Sequence, residues 1–442
     1  MPFNEAQSAA VSHKDGPMMV LAGPGSGKTT VVTHRVQSLI EKHGVNPSSI
    51  LVITFTRAAA REMKERFERL MEGRPMRGQV SFGTFHSVFF RILKLAYQYD
   101  ASDIIREDQK LRLIRELTAK EQLEPEDENE LISSLISEIS AVKGEQIDLE
   151  HYYAKSCSGD SFRRIYRGYE EQLQRAHKID FDDMLVMCWD LFRKRPDILS
   201  AWQKKYEYIL VDEFQDINRL QYQIVRMLAA PSDNLFIVGD DDQSIYRFRG
   251  AKPEIMLGFE RDYPKAARVL LDVNYRSTRE IVEASLRLIE HNEKRFKKSL
   301  KTAGSRGRGV ITRIWEDEEE ENSRIAEEIR MYAEAGCSYS DIAVLYRTNS
   351  GPKRLIEKLM EHNLPFRARD QVPNLYEHWI SQNILSYIRV ALGNRDRAEV
   401  LQMINRPARY VGRDALRDPQ VSFEQLKAYY KEKDWMVERI EN

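Results

Sequence analysis

The chain is 442 residues long, 42% hydrophobic and 31% charged, with a net charge of −1. That length gives room for roughly two to four cored domains, and a charge so near zero excludes global basicity as the means of holding a nucleic acid. Three cysteines (Cys157, Cys188, Cys337) with no C-x-x-C pair speak for a reducing compartment and against structural zinc or an iron–sulfur cluster.

The first seven residues carry neither the basic nor the apolar region of an export signal. No apolar run approaches the ~20 residues of a spanning helix. The expected location is cytoplasmic, with no membrane partner. Residues 18–21 read as a buried strand, which breaks into Ala22-Gly23-Pro24-Gly25-Ser26-Gly27-Lys28-Thr29-Thr30; residues 31–40 then read as a helix. Strand, glycine-rich loop and helix are the context of a P-loop. Gly23, Gly25 and Gly27 let backbone amides turn onto a phosphate, and the helix N-terminus adds partial positive charge. Lys28 can reach the β- and γ-phosphates, and the Thr29 hydroxyl can hold Mg²⁺. Ala22 stands where the pattern has its first glycine, a position that closes the turn without touching phosphate. The bland alternative is a glycine-rich turn with a surface lysine.

Residues 49–56 predict an apolar strand and 57–71 a helix with Met63, Phe67 and Leu70 on one face. A short strand follows at 80–86. Alternation of this kind predicts a parallel, doubly wound sheet. From 88 to 196 amphipathic helical patterns replace strands, and this block reads as a helical insertion with a solvated acidic connection at 121–130. Strands return at 206–211, 235–238 and 269–273, so the block interrupts one domain. A basic stretch (294–308), a strand (309–315), an acidic helix start (316–321) and a second α/β unit with strands at 342–346 and 365–368 come next. From about residue 376 the chain reads as helical.

Two stretches carry further chemistry. The strand ending in Asp212-Glu213-Phe214-Gln215-Asp216 delivers Asp212 to bind Mg²⁺ through its water shell and Glu213 to orient and deprotonate an attacking water. Adjacent carboxylates at a strand end also serve as helix caps. Gly239-Asp240-Asp241-Asp242-Gln243 places Gln243 to sense a γ-phosphate. It runs into Tyr246, Phe248 and Arg249, which have the chemistry of a base-stacking platform worth ~1–3 kcal/mol per base; core packing is the alternative for both rings.

Together these stretches resemble the UvrD/Rep/PcrA group of superfamily 1 DNA helicases. Phe3-Asn4-Glu5-Ala6-Gln7 is similar to that group's Q motif, Thr54-Phe55-Thr56 to motif Ia, Gly83-Thr84-Phe85-His86-Ser87 to motif Ib, and Asn274-Tyr275-Arg276-Ser277 to motif IV. Leu345-Tyr346-Arg347-Thr348-Asn349 resembles the next box, and the resemblance runs through essentially the whole chain. It implies that Gln7 hydrogen-bonds adenine, Tyr275 stacks on it, and Arg276 meets the γ-phosphate. It also implies that Phe55, Thr84, His86, Phe181, Tyr246, Phe248 and Arg249 line a single-stranded DNA track. The group usually has Trp where Phe248 stands and Arg where Thr30 stands, which bears on stacking and on nucleotide selectivity. Asp180, Asp182 and Asp183 around Phe181 read as a helix cap and first turn in preference to a metal site.

The implied fold is α/β: a RecA-like P-loop core with a parallel sheet (1–88 and 197–277), a helical insertion (89–196), a partial second RecA-like core (278–375) and the start of a second helical insertion (376–442). The implied function is ATP- and Mg²⁺-dependent 3′–5′ helicase or translocase action on single-stranded DNA and duplex junctions, in repair or replication. The group's motifs V and VI have no counterpart before Asn442. The expectation is therefore an N-terminal part of a longer helicase, with an ATP-regulated DNA-binding module as the alternative.

Overall fold

The computed structural model describes residues 2–74, 78–123, 128–247, 250–348, 350–369, 376 and 379–441. Two compact units divide the chain, residues 1–310 and 311–442. In the first, β1 (Met18–Ala22), β2 (Ile50–Thr54), β3 (Ser81–Thr84), β4 (Tyr208–Val211), β5 (Leu235–Gly239) and β6 (Ala267–Leu271) form one parallel sheet in the order β3-β2-β4-β5-β1-β6. Every residue of β1, β2, β4 and β5 is buried, because helices cover both faces. That burial is why these strands read as unbroken apolar runs.

Alternate residues feed opposite cores. Met18, Val20, Ile50, Val52 and Leu210 pack under α1 (Glu5–Ser12), α2 (Lys28–Glu41) and α3 (Arg57–Leu70). Met19, Leu21, Leu51, Ile53 and Val211 pack against α4 (Phe85–Tyr97) and later helices. The helical block does not behave as one insertion. Only α5 (Glu107–Lys120), α6 (Glu128–Glu145) and α7 (Gly159–Arg175) build a separate core, around Ile114, Leu135, Ile139 and Phe162. In contrast, α4, α8 (Phe181–Lys194) and α9 (Pro196–Lys205) share the core of the sheet with α10 (Arg219–Ala229). Phe85, Phe89, Ile92 and Leu93 give α4 the apolar face that commits it there.

After β5 come α11 (Pro253–Leu257) and α12 (Phe259–Asp262); after β6 a two-residue strand β7 (Val273–Asn274), α13 (Arg279–Ile289) and β8 (Lys301–Thr302). β8 pairs in parallel with β7.

In the second unit, Asp317 caps α14 (Glu318–Glu334) by accepting from the Glu320 amide, so the acidic run is the helix start its composition predicts. It packs on α15 (Lys353–Glu361) through Ala326, Ile329, Leu355 and Leu359. A second core joins α16 (Trp379–Ala391), α17 (Arg397–Met403), α18 (Phe423–Tyr429) and α19 (Asp434–Glu441) around Val400, Val411, Leu426 and Met436. The strands expected at 309–315, 342–346 and 365–368 are not formed. Ile314 and Leu345 are each 92% exposed. An apolar run becomes a strand only against a neighbour that takes its backbone hydrogen bonds, and among the described residues none does. No described helix is long and apolar enough to cross a membrane.

Candidate functional site

The C-terminal ends of β1, β4 and β5 lie side by side, which is where ligands sit in open parallel sheets. The loop after β1 turns through Gly25 (φ +65°) and Gly27 (φ +86°), the latter forming the N-cap of α2. Residues 274–276 clasp this loop from the end of β7. Tyr275 donates its amide to the Gly25 carbonyl at 3.0 Å, and Asn274 Nδ2 donates to the Pro24 carbonyl at 2.7 Å. A Cβ at Gly25 would stand 2.7 Å from Arg276 Cβ, so the close approach and the left-handed backbone both require glycine. The fold thus brings Arg276 to the loop although Pro24 and Asn274 are 250 positions apart.

Ser26 seals the loop from below, its hydroxyl donating to the Gly23 carbonyl at 2.7 Å. Gln7 lies behind it, 7% exposed. Its Nε2 donates to the Ser26 carbonyl at 3.1 Å, and its Oε1 accepts from the Asn4 amide at 3.2 Å. Asn4 Nδ2 donates to the Tyr275 hydroxyl at 3.0 Å, so Asn4 links Gln7 to Tyr275. Thr29 and Thr30 occupy the first turn of α2; the Thr30 carbonyl faces His34 Nδ1 at 2.9 Å.

Lys28 reaches across to β4, where its Nζ donates to Glu213 Oε2 at 2.8 Å. Burial pushes the Glu213 pKa up, but the Lys28 ammonium outweighs it and the net direction is down. Glu213 itself has φ +50°, an uncommon conformation for a side chain of its size and a mark of functional sites. Asp212 is almost wholly enclosed; burial, then the Glu213 charge, raise its pKa to about 6. Its Oδ1 is buried with no hydrogen-bond partner. An orphaned carboxylate oxygen beside a phosphate loop fits a divalent cation, directly or through its water shell; with the Thr29 hydroxyl it is what this site offers a metal.

Gln215 escapes the sequence analysis as a functional residue. It is 2% exposed; its Nε2 donates to Glu213 Oε2 at 2.9 Å and its Oε1 accepts from the Asp240 amide at 3.0 Å. It therefore bridges the ends of β4 and β5. Its place two residues after Glu213 was the available signal. Gln243 Nε2 donates to Asp240 Oδ2 at 2.7 Å. Asp240, Asp241 and Asp242 stand close enough to share one cation, and Lys298 Nζ is that cation, 2.6 Å from Asp241 and 2.8 Å from Asp242. No local pattern announces a partner 57 residues away from Asp241.

The aromatic residues gather on the same edge in two pairs. Phe55, just past β2, stacks on Tyr246 with centroids 5.1 Å apart and planes at 24°. His86, in the first turn of α4, meets the ring of Phe181 edge-on at 5.4 Å; burial lowers the His86 pKa. Phe181 remains 49% exposed. Asp180 caps its helix as expected, exchanging hydrogen bonds with Asp183, and buried Lys143 ties both carboxylates to α6. Thr84 is different: its hydroxyl accepts from the Ser87 amide as the cap of α4. Phe248 and Arg249 lie outside the described residues.

Residues 3–264 match the UvrD/REP helicase N-terminal domain, and residues 269–438 match the UvrD-like helicase C-terminal domain. The chain is 37% identical over 418 residues to a putative ATP-dependent DNA helicase, YjcD, of Bacillus subtilis, covering 94% of this chain and 54% of that protein. It is 36% identical over 428 residues to the ATP-dependent DNA helicase PcrA of Staphylococcus aureus, covering 95% and 57%. The chain thus spans a little over half the length of these relatives.

Proposed function

The chain belongs to the UvrD/Rep helicase family, and from that premise we propose that it acts in ATP-dependent, 3′–5′ DNA unwinding or translocation on single-stranded DNA, at duplex junctions of repair or replication. What carries the reading is the sharing of one sheet edge by a phosphate site and partly exposed aromatic pairs. Lys28 and Glu213 stand at the ends of β1 and β4, and Phe55 with Tyr246 follow β2 and β5.

The residues divide the work. Amides of residues 25–28, at the α2 N-terminus, would hold the β- and γ-phosphates. Lys28 would leave Glu213 for the phosphates, and Glu213, freed of its cation, would accept the proton of the attacking water. Asp212 Oδ1 and Thr29 would hold Mg²⁺, which would neutralise phosphate charge during transfer. Gln243 and Arg276 would face the γ-phosphate, while Gln7 and Tyr275 hold the base. Phe55, Tyr246, His86 and Phe181 would take successive bases by stacking, which is indifferent to sequence.

ATP turnover with and without oligo(dT), together with unwinding of duplexes bearing 3′ or 5′ tails, tests this. Turnover stimulated by DNA and unwinding of 3′-tailed duplexes are expected. Nucleotide-dependent DNA binding with negligible turnover would favour the alternative, an ATP-regulated DNA-binding module; unwinding of only 5′-tailed duplexes would overturn the polarity.

A further inference from the structure

Residues 295–302 run from the end of β5 back to β7, and their contacts fall on three parts of the candidate site. Arg295 pairs with Asp242 through two bonds, of 2.7 and 2.6 Å. Lys298, its side chain 1% exposed, bonds Asp240, Asp241 and Asp242. Leu300 packs on the phosphate loop, where its Cδ2 would stand 2.7 Å from any Cβ at Gly23. Lys301 and Thr302 then pair with Val273 and Asn274, immediately before Arg276.

Asp240 is the shared member of this arrangement. One carboxylate oxygen takes Lys298, the other takes Gln243 Nε2, and its amide bonds Gln215, which in turn bonds Glu213. Without a cation, three adjacent carboxylates would repel one another, and a buried charge stripped of its partner does not keep its geometry. Lys298 therefore fixes the carboxylate that aims Gln243.

We infer that Lys298 is a positioning residue for ATP turnover, acting through Asp240 on Gln243. Its ion pairs are with Asp240, Asp241 and Asp242, not with the residues that would hold nucleotide or metal. Its removal should disturb the reacting end of the site while leaving the hold on ATP, which rests on the loop, Gln7 and Tyr275.

The test is steady-state ATPase of the full-length gene product with saturating oligo(dT). Lys298→Gln is expected to lower kcat about 10- to 100-fold, the usual effect of losing a residue that orients a functional group, with KM for ATP within about threefold of wild type. Combined with Gln243→Ala, it should lower kcat no further than Gln243→Ala alone, since residues acting as a unit are not additive. Arg295→Gln, which removes only the Asp242 pair, should leave kcat within about twofold. Should Lys298→Gln fail to fold, the charge-relieved pair Lys298→Met/Asp241→Asn takes its place, with the same loss in kcat alone expected. Unchanged kcat, a loss confined to KM, or losses that multiply with Gln243→Ala would overturn the inference. It rests on the ATPase reading, and the two fail differently. Wild-type protein without DNA-stimulated turnover removes both, whereas an active wild type indifferent to Lys298 removes this one alone.

Discussion

Lys28 Nζ lies 2.8 Å from Glu213 Oε2, so in the function proposed above the cation that would bind phosphate is held by the carboxylate that would activate water. Burial alone would raise the Glu213 pKa, and the ion pair brings it below the ordinary value. Drawing Lys28 onto phosphate would undo that depression and make Glu213 the stronger base when substrate is in place. Glu213→Gln keeps the shape and loses the proton acceptor. Turnover should fall ~10²–10⁴-fold with ATP affinity retained, read by steady-state kinetics beside equilibrium binding. Undiminished turnover would remove Glu213 from the base role.

Asp212 gives a pH signature. Its folded pKa, about 6, exceeds the 3.8 of an ordinary aspartate. Below about pH 4 the carboxyl is neutral in folded and unfolded chains alike. Between there and about pH 6 the folded chain holds the proton more tightly, so metal-free protein loses stability as pH rises through that window. Two pKa units correspond to about 3 kcal/mol. Asp212→Asn should therefore raise the metal-free melting temperature at pH 7.5 and abolish its increase on adding Mg²⁺. In the wild type, Mg²⁺ binding should weaken below about pH 6 and release protons there. Equal Mg²⁺ affinity at pH 5 and pH 8 would contradict this.

Gly25 carries a steric requirement. A side chain there meets a left-handed backbone, costing about 1–2 kcal/mol, and a Cβ 2.7 Å from that of Arg276. Gly25→Ala should part the loop from residues 274–276 and weaken ATP binding at least ~10-fold, the equivalent of 1.4 kcal/mol. Titration with a fluorescent ATP analogue measures it.

The Phe55–Tyr246 stack supplies the fourth prediction. Tyr246→Ala should cost ~1–3 kcal/mol of single-stranded DNA affinity without changing the salt dependence, because no phosphate contact is lost. ATP binding without DNA should be unaffected. Fluorescence anisotropy across a salt series separates these outcomes; a changed salt slope would mean that Tyr246 acts on the backbone.

The sheet was legible because strands buried on both faces leave unbroken apolar runs such as Ile50–Thr54. The loop, Asp212-Glu213 and the cap at Asp180 were legible because each is local, a few residues whose order dictates their geometry. Lys298 and Asn274 were not, since their roles depend on partners 57 and 250 residues away. The strand at 342–346 failed for the opposite reason. Its composition is right, but a strand is a relationship between two segments and composition describes only one. Block 88–196 was legible as helical but not as two cores, because amphipathic periodicity shows that a face is buried without showing against what.

The start of α1 has one further consequence. Gln7 Oε1 accepts from the Asn4 amide while Nε2 donates to the Ser26 carbonyl. Turning the amide over would set like groups against each other at both ends and forfeit two hydrogen bonds, about 1 kcal/mol each. One oxygen lone pair and one N–H remain, in a fixed order. The edge is handed. A purine would have to offer its donor to the oxygen and its acceptor to the nitrogen, as adenine does through its amino group and ring nitrogen. Guanine, with a carbonyl in place of the amino group, has no donor there for the oxygen. Discrimination between the two bases would then originate in how a helix begins.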